Sequence, residues 1–188
     1  MSNKLPDLIG IGGTFASGKD SFARELEDRK FNHSSTSDMV RAVAKEKYGN
    51  IERETLRKTA IESREEFGAG IFVERALGFS LPLAISGIRT AGEVRALKKA
   101  GGIMVFVDAD PRIRYERMIG RDRDNETKLT FEEFLTNEQK EISGAKTDAD
   151  QNIAAVREMS DLYIENNGTL EEFIAKAISG LEKMSKNS

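Results

Sequence analysis

The residues with the clearest chemical potential in this chain are Gly13-Thr14-Phe15-Ala16-Ser17-Gly18-Lys19, followed by Asp20 and Ser21. Glycines at both ends of the run let the backbone curl until several N–H groups aim at one centre. A helix that starts there adds the partial positive charge of its N-terminus. Such a centre binds phosphate oxygens, and Lys19 would reach the terminal phosphates of a nucleotide. Gly13, Thr14, Ala16, Ser17, Gly18 and Lys19 are therefore a candidate cradle for a nucleoside triphosphate. The run departs once from the pattern G-x-x-x-x-G-K-[ST]. Asp20 stands where a hydroxyl usually meets magnesium, and the hydroxyl comes one residue later, at Ser21. A carboxylate beside phosphates is repulsive unless a divalent cation lies between. Asp20 either contacts the hydrated ion or turns away as an acid in the first turn of a helix, and Ser21 and Asp20 are the candidate metal contacts.

A glycine-rich turn can also join a strand to a helix and bind nothing. Context argues for the cradle, because the apolar run Leu8-Ile9-Gly10-Ile11 leads in and an amphipathic stretch, Lys19–Asp28, leads out. The same alternation continues along the chain. A short strand is expected near Phe31–Ser34, then helices over about Asp38–Lys47, Glu52–Phe67 and Ile71–Leu77, broken at Gly49-Asn50 and at Gly68 and Gly70. Leu83–Ile85 reads as a strand and Ala91–Lys99 as a helix. Ile103–Val107 is a continuous apolar run of the kind buried on both faces of a parallel sheet. Pro111 opens a helix to Met118, Arg121–Thr130 reads as a charged loop, and Phe131–Ile142 as a helix before a polar loop over Ser143–Asp150. Ile153–Met159, a last strand Leu162–Ile164 and the turn Asn167-Gly168 follow. Thr169 then caps a terminal helix, with fraying expected from Lys183. Five short strands with intervening helices predict an α/β fold whose ligand site lies at the carboxyl ends of its strands.

The chain as a whole narrows the chemistry. Its 188 residues suit one domain, and the absence of cysteine excludes disulfides, cysteine zinc sites and cysteine nucleophiles. His33 is the only histidine, which leaves a Ser-His-Asp triad improbable and points to packing or a loop contact. There is no signal peptide or membrane-length apolar run, so a cytoplasmic location is the default expectation. A net charge of -3 argues against nucleic-acid binding through overall basicity. An anionic substrate must meet a local cluster instead. Arg112, Arg114, Arg117, Arg121 and Arg123 supply one, unless they form only a solvated helix face.

The acceptor side rests on resemblance. Ser35-Thr36-Ser37-Asp38-Met39-Val40-Arg41 can be read as a serine-rich helix cap with a surface arginine. It also resembles the segment after the second strand in the adenylate kinase family of nucleoside monophosphate kinases, where the arginine holds the acceptor's phosphate. Arg41 and Asp38 sit in the matching places. Ser86-Gly87-Ile88-Arg89-Thr90, after the third strand, resembles that family's next element, with Gly87 and the phosphate-binding Arg89. It has one residue fewer before the arginine. Ser86 replaces the acid that helps hold water around magnesium, a role left to Asp20 or Asp108. Arg114 and Arg117, running into Arg121-Asp122-Arg123, resemble the lid base, whose arginines close over the transferring phosphoryl group.

Asn166-Asn167-Gly168-Thr169-Leu170 is similar to a segment near the nucleotide base in dephospho-CoA kinases, although Asn167-Gly168 reads equally as a plain turn with a helix cap. Asn166 is the residue carried over. The Gly-Lys-Asp loop also resembles those of phage deoxynucleoside monophosphate kinases and animal phosphomevalonate kinases, and the whole resembles small kinase-like proteins of archaea and some bacteria. The resemblance covers roughly Leu8 to Ile178. It implies a three-layer P-loop NTPase sandwich with a five-stranded parallel sheet in a single kinase domain, 1–188. A helical acceptor-binding insert is expected at about 38–80, where Arg53, Arg57 and Arg64 are possible contacts, and an arginine-rich lid at about 117–130.

The implied activity is transfer of the γ-phosphoryl of ATP, with Mg2+, to a phosphorylated small molecule. Lys19, Arg89, Arg117, Arg121 and Arg123 are the catalytic candidates, and Asp38, Arg41 and Arg89 the acceptor contacts. No nucleic-acid or membrane partner is expected, and the protein is read as a monomer or homodimer. A nucleoside monophosphate is favoured over dephospho-CoA as acceptor, because the latter's kinases carry Asp-Ala-Asp after the second strand. Here Asp108-Ala109-Asp110 follows the fourth. A nucleotide-binding regulator without a small acceptor is the reading from another class, supported by Ser86. A GTPase is disfavoured by the lack of an Asn-Lys-x-Asp segment.

Overall fold

A computed structural model describes residues 4–120, 129–143 and 150–186. Its elements run β1 (Leu8–Gly13), α1 (Lys19–Asp28), β2 (Asn32–Ser35), α2 (Thr36–Tyr48), α3 (Arg53–Phe67), α4 (Ile71–Ala76), β3 (Leu83–Ile88), α5 (Ala91–Lys99), β4 (Ile103–Asp108), α6 (Pro111–Ile119), α7 (Phe131–Ser143), α8 (Ile153–Glu158), β5 (Leu162–Glu165) and α9 (Leu170–Lys186). The strands form one parallel sheet in the order β2-β3-β1-β4-β5. The α/β expectation holds.

The two faces of β1 show why the layers form. Ile9 and Ile11 point into a core closed by α1 and α9, through Phe22, Leu26, Phe173 and Leu181. Gly10 and Gly12 face the other way. A side chain at Gly10 would meet Leu97 of α5, and one at Gly12 would meet Val156 of α8. Those glycines let the second layer, with Val94, Leu97, Ile153 and Val156, close directly on the central strand. The strand that feeds the loop is thus enclosed on both faces, buried from Leu8 to Gly12.

Several boundaries shift for identifiable reasons. β1 continues to Gly13 because pairing with β4 persists through Gly13 and Val107. β3 runs to Ile88, not Ile85, so Ser86 and Gly87 lie inside the strand and only Arg89 follows it. The ladder with β1 absorbs the extra residue through an irregularity at Ile11/Gly12. α2 starts at Thr36 because Ser35 is its cap, accepting from the Asp38 amide at 3.2 Å. α9 does not fray at Lys183. It extends to Lys186 behind a reciprocal Thr169–Glu172 cap.

The turn between α3 and α4 docks on the start of α5 at close range. A Cβ on Gly92 would stand 2.4 Å from the Ala69 Cβ and 2.9 Å from its carbonyl carbon, and backbone cannot yield as a side-chain tip can. Gly92→Ala is expected to lower unfolding free energy by about 1–3 kcal/mol, read from the midpoint of urea denaturation.

Candidate nucleotide and acceptor site

The site lies at the carboxyl end of β1, between β3 and β4, where successive connections leave in opposite directions. The loop after β1 holds an unusual backbone path. Ala16 adopts φ 59° although it carries a side chain, and Gly18 at φ 102° precedes α1 without a side-chain cap. The first amides of α1 are thus left for an anion.

Two neighbours fix that path. From the β4 side, the Thr14 hydroxyl donates to Asp108 Oδ1 at 2.7 Å, and the Thr14 amide donates to the Val107 carbonyl at 3.3 Å. From the β5 side, buried Asn166 donates through Nδ2 to the Ser17 carbonyl at 2.8 Å. Gly18 must be glycine for this contact, since a Cβ there would lie 2.3 Å from Asn166 Nδ2. The Ser17 hydroxyl is fully buried with no hydrogen-bond partner among the described residues. A buried hydroxyl in a loop of this kind suits a phosphate oxygen, so the residues present fit a nucleotide.

Lys19 stands at the start of α1, its Nζ 3.4 Å from Asp20 Oδ1, with Asp20 largely exposed. Ser21 follows in the same first turn. No group of three or more His, Asp or Glu side chains that could hold a metal occurs among the described residues. Magnesium keeps several waters and takes one or two protein ligands beside phosphates, so it does not require such a group, and Ser21 and Asp20 stand in the first turn of α1 where a metal contact was expected. Asp108, the other candidate for the missing acid, is engaged: it is held by Thr14, the Ala109 amide and the Tyr163 hydroxyl. Ser86, at the acid's place, is bonded to His33 Nε2 at 2.8 Å. His33 lies within β2 and makes a packing contact with the neighbouring strand β3, the first of the two roles expected for it, and its other ring nitrogen faces Glu27 of α1 at 3.4 Å.

Beside the loop is a cavity of about 450 Å3, which brings together Gly13, Thr14 and Lys19 with Arg41 of α2, Arg53 of α3 and Arg89. Ile51, Leu56, Met118 and Phe134 give it apolar walls, and Asn137 and Glu138 of α7 add polar ones. Asp38 does not line it. It pairs instead with Arg41 Nη1 at 2.6 Å and orients that guanidinium. Arg117 donates from Nη2 to Asn166 Oδ1 at 3.4 Å, the same side chain that clamps the Ser17 carbonyl. Arg121 and Arg123 lie outside the described residues.

Two arginines have roles that the sequence left open or assigned elsewhere. Arg114, read with the lid base, is buried and bonded to the Ala109 carbonyl at 2.8 Å and to both Glu138 oxygens. It braces α6 against α7. Arg64, one of three possible acceptor contacts, is buried against Glu93 at 2.9 Å. Arg53 alone of that trio lines the cavity, and Arg57 is exposed. Ile51, Leu56 and the α7 residues had no sequence signal, because only packing brings them to the loop.

A parallel five-stranded sheet with a Gly-Lys loop at its switch point defines a P-loop NTPase. A family profile described as an AAA domain matches residues 9–144, and the chain belongs to that family. It also belongs with the UPF0200 proteins. The one from Sulfurisphaera tokodaii is 30% identical over 186 residues, covering 96% of this chain and 98% of the relative. Another, from Pyrobaculum aerophilum, is 33% identical over 72% of this chain and 78% of its own. Among solved structures, the fold is shared with a gluconokinase from Sinorhizobium meliloti (TM-score 0.62, 16% identity, 98% and 96% of the two chains covered). It is shared too with the shikimate kinase of Acinetobacter baumannii in complex with shikimate (TM-score 0.61, 18% identity, 99% and 97% covered). The fold is that of small-molecule P-loop kinases.

Removing the Asn166 clamp leaves the Ser17 carbonyl buried without its donor. Asn166→Ala is expected to weaken binding of a non-hydrolysable ATP analogue about tenfold, measured by calorimetric titration. The Tyr163 phenol is pushed above the ordinary tyrosine range, first by burial and then by the Asp108 carboxylate. Stability from the protonated phenol is complete below the unfolded value of about 10 and is lost as pH rises through the folded one. Tyr163→Phe should therefore flatten the alkaline fall in stability, followed by urea unfolding between about pH 9 and 11.5.

Proposed function

We propose that this protein is an ATP-dependent small-molecule kinase that transfers the γ-phosphoryl group to a phosphorylated acceptor, with a nucleoside or deoxynucleoside monophosphate as the favoured class. The observation that carries this reading is one cavity lined at once by the loop lysine, Lys19, and by Arg41, Arg53 and Arg89 from the far wall. A site that only bound or hydrolysed a triphosphate has no need for three guanidiniums beyond the loop. Guanidinium grips two oxygens at once, which suits a phosphate held in line for transfer.

In this reading the loop amides and Lys19 hold the donor phosphates. Arg41, steadied by Asp38, grips the acceptor with Arg89. Arg117, linked to Asn166, serves the donor side. Mg2+ at Ser21, helped by Asp20, would neutralise charge on the phosphates. Because little covalent work falls to the protein in phosphoryl transfer, rate comes from positioning and fixed positive charge. The cavity's apolar walls would exclude water and limit wasteful hydrolysis.

Dephospho-CoA as acceptor is the alternative within kinases. Asp108 and Asp110 speak against it, because Asp108 holds the loop and Asp110 caps α6 by accepting from the Arg112 amide at 2.8 Å. Neither is presented to an acceptor. The regulator reading draws on Ser86, whose hydroxyl is engaged by His33 where the family places an acid.

A coupled ADP-release assay with ATP and magnesium, run across the ribo- and deoxynucleoside monophosphates and dephospho-CoA, tests the assignment. Stimulation by one monophosphate is expected. Stimulation by none of these, with ATP still bound, would overturn the nucleoside monophosphate assignment in favour of a regulator or of an acceptor outside both sets. In the same assay Lys19→Ala should reduce turnover by about a thousandfold. Arg89→Ala should raise the acceptor KM about thirtyfold or more while ATP affinity stays within about twofold.

A further inference from the structure

Arg89 is held by its backbone before its side chain meets any ligand. Its amide donates to Glu93 Oε2 at 2.8 Å, and its carbonyl accepts from the Asn152 amide at 2.9 Å. Glu93 is the third residue of α5 and forms a reciprocal cap with Thr90. A glutamine could make that cap as well. What a glutamine could not do is hold a buried cation, and Glu93, fully enclosed, also takes Arg64 Nη2 on its other oxygen at 2.9 Å. Arg64 is itself buried, its guanidinium 5.4 Å from the centre of the Phe72 ring.

A buried ion pair is poor value as stability alone, since removing two charges from water costs about as much as their attraction returns. Its placement suggests another use. Arg64 lies near the C-terminal end of α3, and Arg53 and Leu56, near the other end, line the acceptor wall. The helix spans roughly 16 Å between Arg53 and Arg64. One carboxylate therefore ties the peptide that carries Arg89 to the rod that carries Arg53. The tight seat of Gly92 on Ala69 seals the same joint.

We propose that Glu93, neutralised by Arg64, is a positioning residue that sets Arg89 and the α3 wall in fixed register, so that the acceptor's phosphate meets a preformed grip. This rests on the reading of Arg89 as a phosphate-binding residue, and the test separates the two. The probe is inorganic phosphate, titrated by calorimetry into protein saturated with a non-hydrolysable ATP analogue and magnesium, so that the donor loop is occupied. Arg89→Ala sets the scale for loss of the grip.

Two variants then address the tie. Arg64→Met/Glu93→Leu removes both charges together, a replacement that is often neutral for stability. Glu93→Asp keeps the charge but draws the carboxylate back from the Arg89 amide, and it serves if the double variant does not fold. In each folded variant phosphate is expected to bind about tenfold more weakly, while the ATP analogue stays within about twofold of wild type. Unchanged phosphate affinity in either folded variant, or parallel loss of the analogue, would overturn the positioning role. If wild type and Arg89→Ala bind phosphate alike, the acceptor reading of Arg89 falls first, and this inference with it.

Discussion

A loop that offers its amides to a ligand cannot spend them on its own secondary structure, and everything around Gly13–Lys19 follows from holding such a loop still. Left alone it would sample many conformations and lose that freedom only on binding, at the expense of affinity. Here the loop is pinned from both sides by side chains, Asp108 on Thr14 and Asn166 on the Ser17 carbonyl. Asp108 is the last residue of β4 and Asn166 directly follows β5, its amide bonded to the Asp108 carbonyl at 2.8 Å, so their positions are as fixed as the sheet. The strand order puts β4 beside β1 and β5 beyond it, which places both clamps within reach. The glycines of β1 let α5 and α8 close on the strand that leads into the loop.

The positive charges divide along the same line between holding and reacting. Arg114 and Arg64 are buried, and each meets a carboxylate from a distant element, Glu138 and Glu93. Their charge is cancelled where it stands, and neither lines the cavity with Arg41 and Arg89. Arg41, Arg53 and Arg89 line a cavity with water access, where a guanidinium keeps its affinity for an arriving phosphate without the heavy desolvation of the interior. On the kinase reading, the apolar residues between them would confine that phosphate. The buried arginines make the open ones useful, because guanidiniums on mobile segments would lose in ordering entropy much of what they gain in contact.

This division also explains what could be read from the sequence. The loop was legible because its requirement is local: glycine where a Cβ would collide, lysine at the helix start, an apolar strand before it. The five strands and the order of helices were legible for the same reason, through short apolar runs and caps. Arg89 and Arg41 were singled out through resemblance, since Arg89 directly follows β3 and Arg41 lies in the second turn of the helix that Ser35 caps. The burial of Arg114 and Arg64 was not legible, because it is decided by Glu138 and Glu93, 24 and 29 residues away. Nothing in a row of arginines distinguishes one that folds inward. Strand ends were misjudged where the ladder outran the apolar run: Ser86 and Gly87 are residue types that signal a turn, yet Ser86 stays paired with both neighbouring strands and pairing resumes at Ile88, with Gly87 as the extra residue of an irregularity.

Ser86 has a consequence for charge around the phosphates. On the kinase reading, a bound triphosphate brings several negative charges into the crevice, and each further carboxylate beside them must be balanced. With Ser86 a neutral hydroxyl turned to His33, and Asp108 committed to Thr14 and Tyr163, the first turn of α1 carries one exposed acid, Asp20. Asp20 lies beside Lys19, so the acid and the cation that face the phosphates come as adjacent residues on one helix turn. Moving the acid from the neighbouring strand to the loop keeps the sum of charge nearly constant while shifting where it is anchored. An acid on β3 would be tied to the element that carries Arg89 and the acceptor. On the same reading, an acid on α1 is tied to the element that carries Lys19, so the charge offered to a metal by Asp20 would travel with the donor loop and not with the acceptor wall.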